Sequence, residues 1–449
     1  MKGVTPPSPL KGGVNIQIMK IWQKSGSIDQ QIETFTIGKD ADLDLLLAPF
    51  DVEGTIAHVT MLQKVGLLEK TELDQLLPEL KEIHQLAQEG KLTIDKGVED
   101  IHSQVEFMLT NKLGEVGKKV HSGRSRNDQV ILDIKLFTRA RIREVAQEVR
   151  SLFDQLLSLS EKHKDVLMPG YTHMQVAMPS SFGLWFAAYA ESLVDDMTLL
   201  EAAYKITNRN PLGSAAGYGS SFPLDREMTT ELLGFESMNN NVVYAQMTRG
   251  KTEKVVSQAL ASIATTLSKL AMDVCLYMGQ NFGFLTFPDH LTTGSSIMPH
   301  KKNPDVFELV RARCNKIKAL PNEIDHILGN LPSGYHRDLQ QIKESYLPVF
   351  DELLSCLNIT QVMFNEVHVN KDLLDSPIYD YLFSVEVVND LVLKGKSFRE
   401  AYKEVGLMIE EGKFKPKKEL KHTSSGTLGN LNNQYLLRMM EKSGSGLLE

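Results

Sequence analysis

Four polar segments carry the residue types that could do chemistry in this sequence. The most unusual is TTGSSIMPHKKNPD, residues 292–305, where a Gly-Ser-Ser run and two adjacent lysines lie between apolar stretches. Its composition predicts a mobile loop, and Pro304 and Asp305 suit the first turn of a following helix. The sequence lacks a G-x-x-x-x-G-K-[ST] phosphate loop and a G-x-S-x-G elbow, which argues against a nucleotide-binding loop or a serine hydrolase. A plain surface turn is the alternative.

The segment HSGRSRNDQ, residues 121–129, places two arginines, two serines and an asparagine directly before a long helical pattern. Arginine side chains bind carboxylates through paired hydrogen bonds, and the amides at a helix N-terminus also attract anions. The dense cluster therefore favours an anion-binding site. The alternative is a solvated capping turn in which Asn127 or Asp128 is the N-cap residue.

Two further segments hold candidates for proton transfer and for binding. His173 lies beside Thr172 in MPGYTHMQ, residues 168–175, in a predicted turn between helices. A histidine there could transfer protons near neutral pH, although a single histidine is more often structural. The segment LPSGYHRDLQQIKES, residues 331–345, holds polar side chains three and four positions apart, which can share a helix face. Alone, it is more typical of a solvated helix start.

Long amphipathic helices must position these segments. Apolar residues recur at steps of four and three over residues 256–277, and a similar pattern covers residues 131–159. This spacing is typical of helices packed on helices. A helix of about 30 residues is roughly 45 Å long, so several of them form an extended bundle. Further helices are predicted at about 182–206, 306–328 and 343–369, and alternating β-branched runs are nearly absent.

Composition limits the class of protein. Of the 449 residues, 42% are hydrophobic and 24% are charged, which is typical of a soluble protein with a substantial core. The formal net charge of -8 argues against a nucleic-acid partner, because phosphate contacts need a basic face. The three cysteines are far apart in the sequence and predict reduced thiols in a cytoplasmic protein. No apolar run looks long enough to span a membrane.

We expect three helical parts after a short extension. Residues 1–18 are rich in proline and glycine and are predicted to be disordered. Residues 19–125 hold shorter helices, residues 126–375 hold the long ones, and residues 376–449 form a smaller helical domain. We call the stripe of apolar residues along one face of a long helix its seam. Long helices with such a seam favour oligomerisation, although a single chain can also bury the seam.

Together the polar segments resemble a known family of enzymes. GSSIMPHKKNP is similar to the signature loop of the fumarase/aspartase superfamily. HSGRSRNDQV, MPGYTHMQ and NPLGSAAGYGSSFPLDRE narrow the resemblance to the argininosuccinate lyase family, from roughly residue 19 to the C-terminus. The resemblance implies a mainly α fold of three domains, with a long central helical bundle. It also implies a homotetramer with a twenty-helix core and active sites shared between subunits.

The resemblance further implies a reaction and the roles of individual residues. Such enzymes cleave argininosuccinate by β-elimination to arginine and fumarate in arginine biosynthesis, without a cofactor. By resemblance, Ser295 is the catalytic base on a mobile loop and His173 is its acid partner, with supporting roles for Glu308, Lys301 and Asn303. A serine takes the proton only as an alkoxide, which requires nearby cations and exclusion of water. The implied substrate-binding residues are Ser125, Arg126, Asn127, Thr172, Arg249, Tyr335, Arg337, Gln340 and Lys343.

Some positions depart from the family pattern. Met178 replaces a usual glutamine, and Gly250 stands where an Asp beside Arg249 is expected. Loss of that Asp is expected to remove an ion pair that positions Arg249. We interpret the chain as a divergent but active enzyme. The alternatives are another fumarate-releasing lyase of adenylosuccinate or aspartate type, a non-catalytic crystallin-like relative, and a helical binding module.

Overall fold

The computed structural model describes residues 30–418, 420 and 422–448. The extension predicted for residues 1–18 therefore lies outside the described residues. Within them the fold is mainly α, as predicted, and the strands form four separate two-stranded sheets.

The helices of the first half are α1 (Gln30–Ile37), α2 (Asp40–Lys64), α3 (Lys70–Gln88), α4 (Ile101–Leu113), α5 (Glu115–Lys118), α6 (Arg126–Lys162), α7 (Phe182–Thr207) and α8 (Arg226–Leu232). Those of the second half are α9 (Val242–Met247), α10 (Lys251–Tyr277), α11 (Asp305–Ile317), α12 (Leu320–Leu328), α13 (Ile342–Asn365), α14 (Ser384–Leu393), α15 (Phe398–Glu410) and α16 (Asn433–Leu448). Short 3₁₀ helices lie at Lys119–His121, Asp289–Leu291, Arg337–Gln341, Leu373–Asp375 and Pro377–Phe383.

The strands pair in four small sheets. Two antiparallel hairpins join β1 (Leu167–Thr172) to β2 (Gln175–Ser181) and β6 (Thr293–Gly294) to β7 (Lys302–Asn303). The other pairs are β3 (Arg209–Asn210) with β4 (Ser237–Met238), which is parallel, and β5 (Leu285–Thr286) with β8 (His368–Val369), which is antiparallel.

The long helices share one apolar core, and the seam predicted for α10 faces it. Its buried members are Val256, Leu260, Ile263, Leu267, Leu270 and Val274. Helix α10 packs on α7 and α11, while α6 packs on α7 and α13. Helices α2 to α4 bury a second apolar cluster, and α14 and α15 bury a small one. The three-part division of the chain remains a prediction.

Helix α6 begins before either predicted N-cap residue. Its N-cap is Ser125, whose hydroxyl accepts a hydrogen bond from the Asn127 N–H at 3.2 Å. The Asp128 carboxylate in turn accepts from the Ser125 N–H at 2.9 Å. This reciprocal capping box satisfies two backbone donors at once. The prediction of Asn127 or Asp128 as the N-cap was therefore wrong.

Two other expectations also need correction. The single helix predicted at 306–328 is interrupted between α11 and α12, where Pro321 cannot supply an N–H to a continuing helix. Helices α2 and α10 are long and apolar enough to cross a membrane by length and composition, contrary to our reading of the sequence. However, 61% and 56% of their apolar windows are buried inside the protein, as in the core helices of soluble proteins.

Candidate active site

A cavity of about 180 Å³ lies where the N-terminus of α6 meets the C-terminus of α1 and the segment before α13. Seven of the nine predicted substrate-binding residues line it, although they come from segments far apart in the sequence. Those seven are Arg126, Asn127, Arg249, Tyr335, Arg337, Gln340 and Lys343. The cavity therefore brings most of the predicted binding set together in one chain.

Carboxylates from α2 and from the segment before α4 pair with the cations of this cavity. Lys343 is buried and forms ion pairs with Asp40 and Asp44, the second at 2.7 Å. Burial disfavours the Lys343 ammonium, but the attraction of Asp44 and Asp40 outweighs it and raises the pKa of Lys343. Arg126 likewise contacts Glu99 at 2.8 Å and Asp100 at 3.2 Å. The cavity thus contains both signs of charge.

The C-terminus of α1 closes one side of the cavity through its carbonyl groups. Arg337 donates to the Thr36 carbonyl at 2.9 Å, and Gln340 donates to the carbonyls of Thr36 and Ile37 at 3.1 and 3.2 Å. The Arg337 side chain also lies 3.6 Å from Glu99. The 3₁₀ helix Arg337–Gln341 therefore connects α1 to the cavity wall.

His102 also lines the cavity and was not among the predicted site residues. Its Nδ1 is 2.6 Å from Asp51 Oδ1 and 3.6 Å from Asp133 Oδ2, and all three side chains are buried. Burial disfavours the imidazolium, but the two carboxylates prevail and raise the pKa of His102 to about 10. The imidazole is therefore protonated at neutral pH. The motif VEDIH contains this residue, but nothing in the motif indicates its buried partners.

The same three residues could hold a metal ion by geometry, since their ligand atoms lie within 4.8 Å of one another. Two observations favour an ion-pair network instead. His102 Nδ1 lies within direct hydrogen-bond distance of Asp51 Oδ1, at 2.6 Å. In addition, the guanidinium of the half-buried Arg124 interacts electrostatically with both Asp51 and Asp133 and supplies a further positive charge.

The expected loss of an ion pair at Arg249 was wrong. The guanidinium forms a buried ion pair with Glu253, one turn further along the chain, and both side chains are 2% exposed. Gly250 has a φ of 80°, and a Cβ there would lie 2.3 Å from Leu328 Cδ2. An aspartate therefore does not fit at this position, and the chain supplies the carboxylate from Glu253 instead.

The signature loop lies outside the cavity, at the tip of the β6–β7 hairpin. Ser295 begins the loop, and its hydroxyl oxygen accepts hydrogen bonds from the backbone N–H groups of Ile297 at 3.3 Å and Met298 at 3.1 Å. Asn303 donates to the Gly294 carbonyl at 3.3 Å across the hairpin. Lys301 is exposed at the end of the loop and borders a different cavity.

His173 occupies the tip of the β1–β2 hairpin, not a turn between helices. His173 and Met174 form its two-residue turn with φ values of 52° and 61°, as in a type I′ turn. His173 and Thr172 are exposed.

The predicted residues fall into three groups within one chain. The first lines the 180 Å³ cavity, with Ser125 at the helix cap beside it. The second is the Ser295 loop together with Glu308, which is exposed in the first turn of α11. The third is the hairpin with Thr172 and His173. In the described part of the chain, no side-chain hydrogen bond joins one group to another.

Comparison with known proteins identifies the fold and the family of the chain. Residues 15–318 match a family model described as lyase. Two solved structures share the fold: an EDDS lyase in complex with formate and a fumarate lyase:delta crystallin from Brucella melitensis bound to cobalt. The first has a TM-score of 0.77 and 22% identity and covers 94% of this chain and 92% of its own. The second has a TM-score of 0.69 and 17% identity and covers 90% and 91%. The family model and the shared fold thus identify the chain as a lyase of the fumarase/aspartase superfamily.

Curated relatives identify the family within this superfamily. The chain is 62% identical over 421 residues to the argininosuccinate lyase of Parabacteroides distasonis, with 94% of each chain covered. It is 61% identical over 427 residues to that of Bacteroides fragilis, with 95% and 96% covered. It is 40% identical over 384 residues to that of Stenotrophomonas maltophilia, with 85% and 89% covered. The chain belongs to the argininosuccinate lyase family.

Proposed function

We propose that this protein cleaves argininosuccinate to arginine and fumarate, as a step of arginine biosynthesis in the cytoplasm. The observation that carries the proposal is the convergence of Arg126, Arg337 and Lys343 in one cavity that also contains carboxylates. Argininosuccinate has the same mixed character, because it carries carboxylates together with a guanidinium and an ammonium group. Adenylosuccinate would bring a phosphate and a purine, and aspartate would bring no guanidinium. Asp40, Asp44, Glu99 and Asp100 therefore favour argininosuccinate among the fumarate-forming substrates.

In this mechanism Ser295 removes a proton from the succinyl carbon beside a carboxylate. The electron pair forms the carbon–carbon double bond of fumarate, and the bond to the guanidino nitrogen breaks. That nitrogen leaves with its electron pair and takes a proton from His173, which Glu308 assists. The carbanion that develops beside the carboxylate needs donors and positive charge held in position beforehand. Arg126, Asn127, Tyr335, Arg337, Gln340 and Lys343 bind the substrate, together with Ser125 and Thr172.

The hydrogen bonds at Ser295 support its role as the base. A serine hydroxyl is a weak acid, so its alkoxide must be stabilised by groups that favour the charged form. The N–H groups of Ile297 and Met298 both donate to the Ser295 oxygen, and such donors favour an anion over a neutral hydroxyl. Lys301 adds a positive charge in the same loop and Asn303 an amide donor. Closure of the loop over the substrate would exclude water from the oxygen.

The separation of the three residue groups supports a shared active site. Ser295 and His173 do not line the cavity that holds the binding residues of their own chain. In the proposed homotetramer, loops from neighbouring subunits complete each cavity, and the long helices form the twenty-helix core. A sizing measurement on the purified protein tests this part directly, because a monomer that is fully active would exclude shared sites.

The reaction is tested by following the ultraviolet absorbance of fumarate after addition of argininosuccinate. We expect fumarate and arginine in equal amounts from argininosuccinate, and none from adenylosuccinate or aspartate. Fumarate from one of the other two substrates alone would favour the alternative lyase, and no product at all would favour a crystallin-like relative or a binding module.

Ser295→Ala tests the base. It should lower kcat by several orders of magnitude and leave assembly intact. The adjacent Ser296 provides a matched control, because Ser296→Ala alters the same loop without removing the proposed base. Near-normal turnover of Ser295→Ala would exclude Ser295 from this role.

A further inference from the structure

The ion pair between Arg249 and Glu253 lies where the start of α10 meets the wall of the cavity. One oxygen of Glu253 contacts Arg249 Nη1, and the other accepts a hydrogen bond from the Gly250 N–H at 2.7 Å. The second terminal nitrogen of Arg249, Nη2, donates to the Leu339 carbonyl at 2.9 Å. The start of α10 is therefore tied to the 3₁₀ helix Arg337–Gln341.

The backbone at this junction is closely packed. A Cβ on Gly250 would lie 2.3 Å from Leu328 Cδ2 and 3.2 Å from Ile342 Cδ1, so α10 begins directly against α12 and α13. Leu339 is itself buried, at 3% exposure. The glycine permits this close approach, and Glu253 supplies the charge that the glycine cannot.

The target of Arg249 lies between two cavity residues. Leu339 follows Arg337 by two positions and precedes Gln340, and both neighbours line the cavity. A shift of the Leu339 carbonyl would therefore move both side chains. Arg249 also lines the cavity, but Glu253 opposes its charge and both terminal nitrogens are engaged, so that of its three nitrogens only Nε lacks a hydrogen-bond partner. A substrate carboxylate that bound Arg249 directly would have to compete with Glu253.

We propose that Glu253 and Arg249 are a positioning pair, which fixes the Arg337–Gln341 segment in the cavity wall. Arg249 acts through this segment and does not itself bind the substrate. Glu253 is the residue that sets the orientation of Arg249. The inference rests on the proposed lyase function for its kinetic consequences, whereas its structural consequence can be measured without any substrate.

Glu253→Gln keeps the size of the side chain and removes its charge. Without substrate, amides of residues 335–343 should exchange hydrogen faster than in the unmodified protein. With argininosuccinate, KM should rise about tenfold while kcat changes less than about threefold, the pattern of lost ground-state binding. If Arg249 bound the substrate directly, its charge would be less compensated in this variant and KM would fall. A lower KM, or unchanged exchange and unchanged KM, would overturn the proposal.

A second variant covers the case in which Glu253→Gln fails to fold with an unpaired buried arginine. The double variant Arg249→Met with Glu253→Met leaves no unpaired charge and also removes the bond to Leu339. It should show the same faster exchange and the same rise in KM, and normal values for both would contradict the positioning role.

The control is Asp154→Asn, which breaks the Arg150–Asp154 pair on α6, another pair four residues apart, at 2.9 Å. It should change neither the exchange of residues 335–343 nor KM, and an equal change there would also overturn the proposal. Should the unmodified protein release no fumarate, the proposed function fails, while the exchange of residues 335–343 still decides whether the pair positions this segment.

Discussion

The carboxylate of Asp128 accepts a hydrogen bond at 2.8 Å from the backbone N–H of Ala215, which lies 87 residues further along the chain. The same oxygen accepts from the Gly213 N–H at 3.1 Å, and the other oxygen accepts from the Ser125 N–H at 2.9 Å. Ala215 has a φ of 50°, which a residue other than glycine seldom adopts. One buried side chain thus joins the SGRSRND segment at the cavity to the NPLGSAAGYG segment.

Asp128→Asn should destabilise the protein by about 2 kcal/mol, because the amide group turns a donor toward backbone donors that have no other acceptor. Urea unfolding followed by circular dichroism measures the change. Asp225→Asn is the control, since Asp225 caps α8 by accepting one such bond from Met228. The control should cost at most about 1 kcal/mol. Equal losses of stability in the two variants would mean that the three hydrogen bonds of Asp128 stabilise the protein no more than the single cap of Asp225 does.

The stability of the protein should depend on pH through His102. Its pKa is about 10 in the folded state and near 6.5 when the chain is unfolded, so the folded protein binds the proton more tightly. The stabilisation is complete below pH 6.5 and is lost as the pH rises through 10. His102→Gln should therefore be less stable than the unmodified protein at pH 7, by about 3 kcal/mol or more, since it leaves buried carboxylates without their cation. The difference in Tm should narrow by pH 10, and a constant difference would contradict the ion pair.

Lys135 should make the stability of the protein increase with pH, which is opposite to the effect of His102, and the two pH ranges overlap. Burial lowers the pKa of Lys135 to about 7, from 10.5 in the unfolded chain. The unfolded chain therefore binds the proton more tightly, and this contribution to stability increases as the pH rises from 7 to 10.5. We expect the Tm of the unmodified protein to rise relative to the Tm of Lys135→Met over this range. Because His102 is present in both proteins, its effect cancels in this comparison, and the opposite trend would contradict the lowered pKa of Lys135.

Gly250→Ala should destabilise the protein through both backbone strain and a steric clash. Gly250 has a φ of 80°, and the added methyl group would meet Leu328 at 2.3 Å. Gly234→Ala is the matched control, because Gly234 has a φ of 60° but its nearest neighbour, Arg139 Nη2, is 3.7 Å away. Gly234→Ala should destabilise the protein by about 1 kcal/mol through backbone strain alone, and Gly250→Ala should destabilise it clearly more. Thermal unfolding of the two variants compares them, and equal Tm values would mean that Leu328 moves aside freely.

His173→Asn separates the proposed proton transfer from the shape of the hairpin. Asparagine readily adopts the positive φ of a type I′ turn, so the hairpin should keep its conformation. We expect kcat to fall about a hundredfold or more, as for other acid–base groups. Met174→Asn changes the other turn residue and should leave kcat unchanged. An unchanged kcat for His173→Asn would make His173 a structural residue.

The parts of the molecule that follow from local periodicity could be predicted from the sequence. The seam of α10 is buried as expected, because spacing along a helix determines which side chains share a face. The hairpin at His173 was missed, since a His-Met turn has neither the glycine nor the asparagine that usually marks such a turn.

The partners of the charged residues could not be predicted in the same way. Lys343 was recognised as a binding residue, but its partner Asp44 lies 299 residues earlier in the chain, and no local pattern connects the two. The pairing of Arg249 with Glu253 was missed for another reason. The family pattern directed attention to position 250, whereas a residue four positions along a helix can reach the same guanidinium.

The charges in the cavity also affect which molecules can compete for it. Arg126 and Lys343 already have carboxylate partners within their own chain, so an incoming anion must displace a partner before it gains one. Inorganic phosphate or sulfate offers nothing to the displaced carboxylates, so we expect it to compete poorly for the cavity. A ligand with a guanidinium beside its carboxylates can pair with both the cations and the displaced carboxylates, so we expect the site to select such a ligand before any chemical step begins.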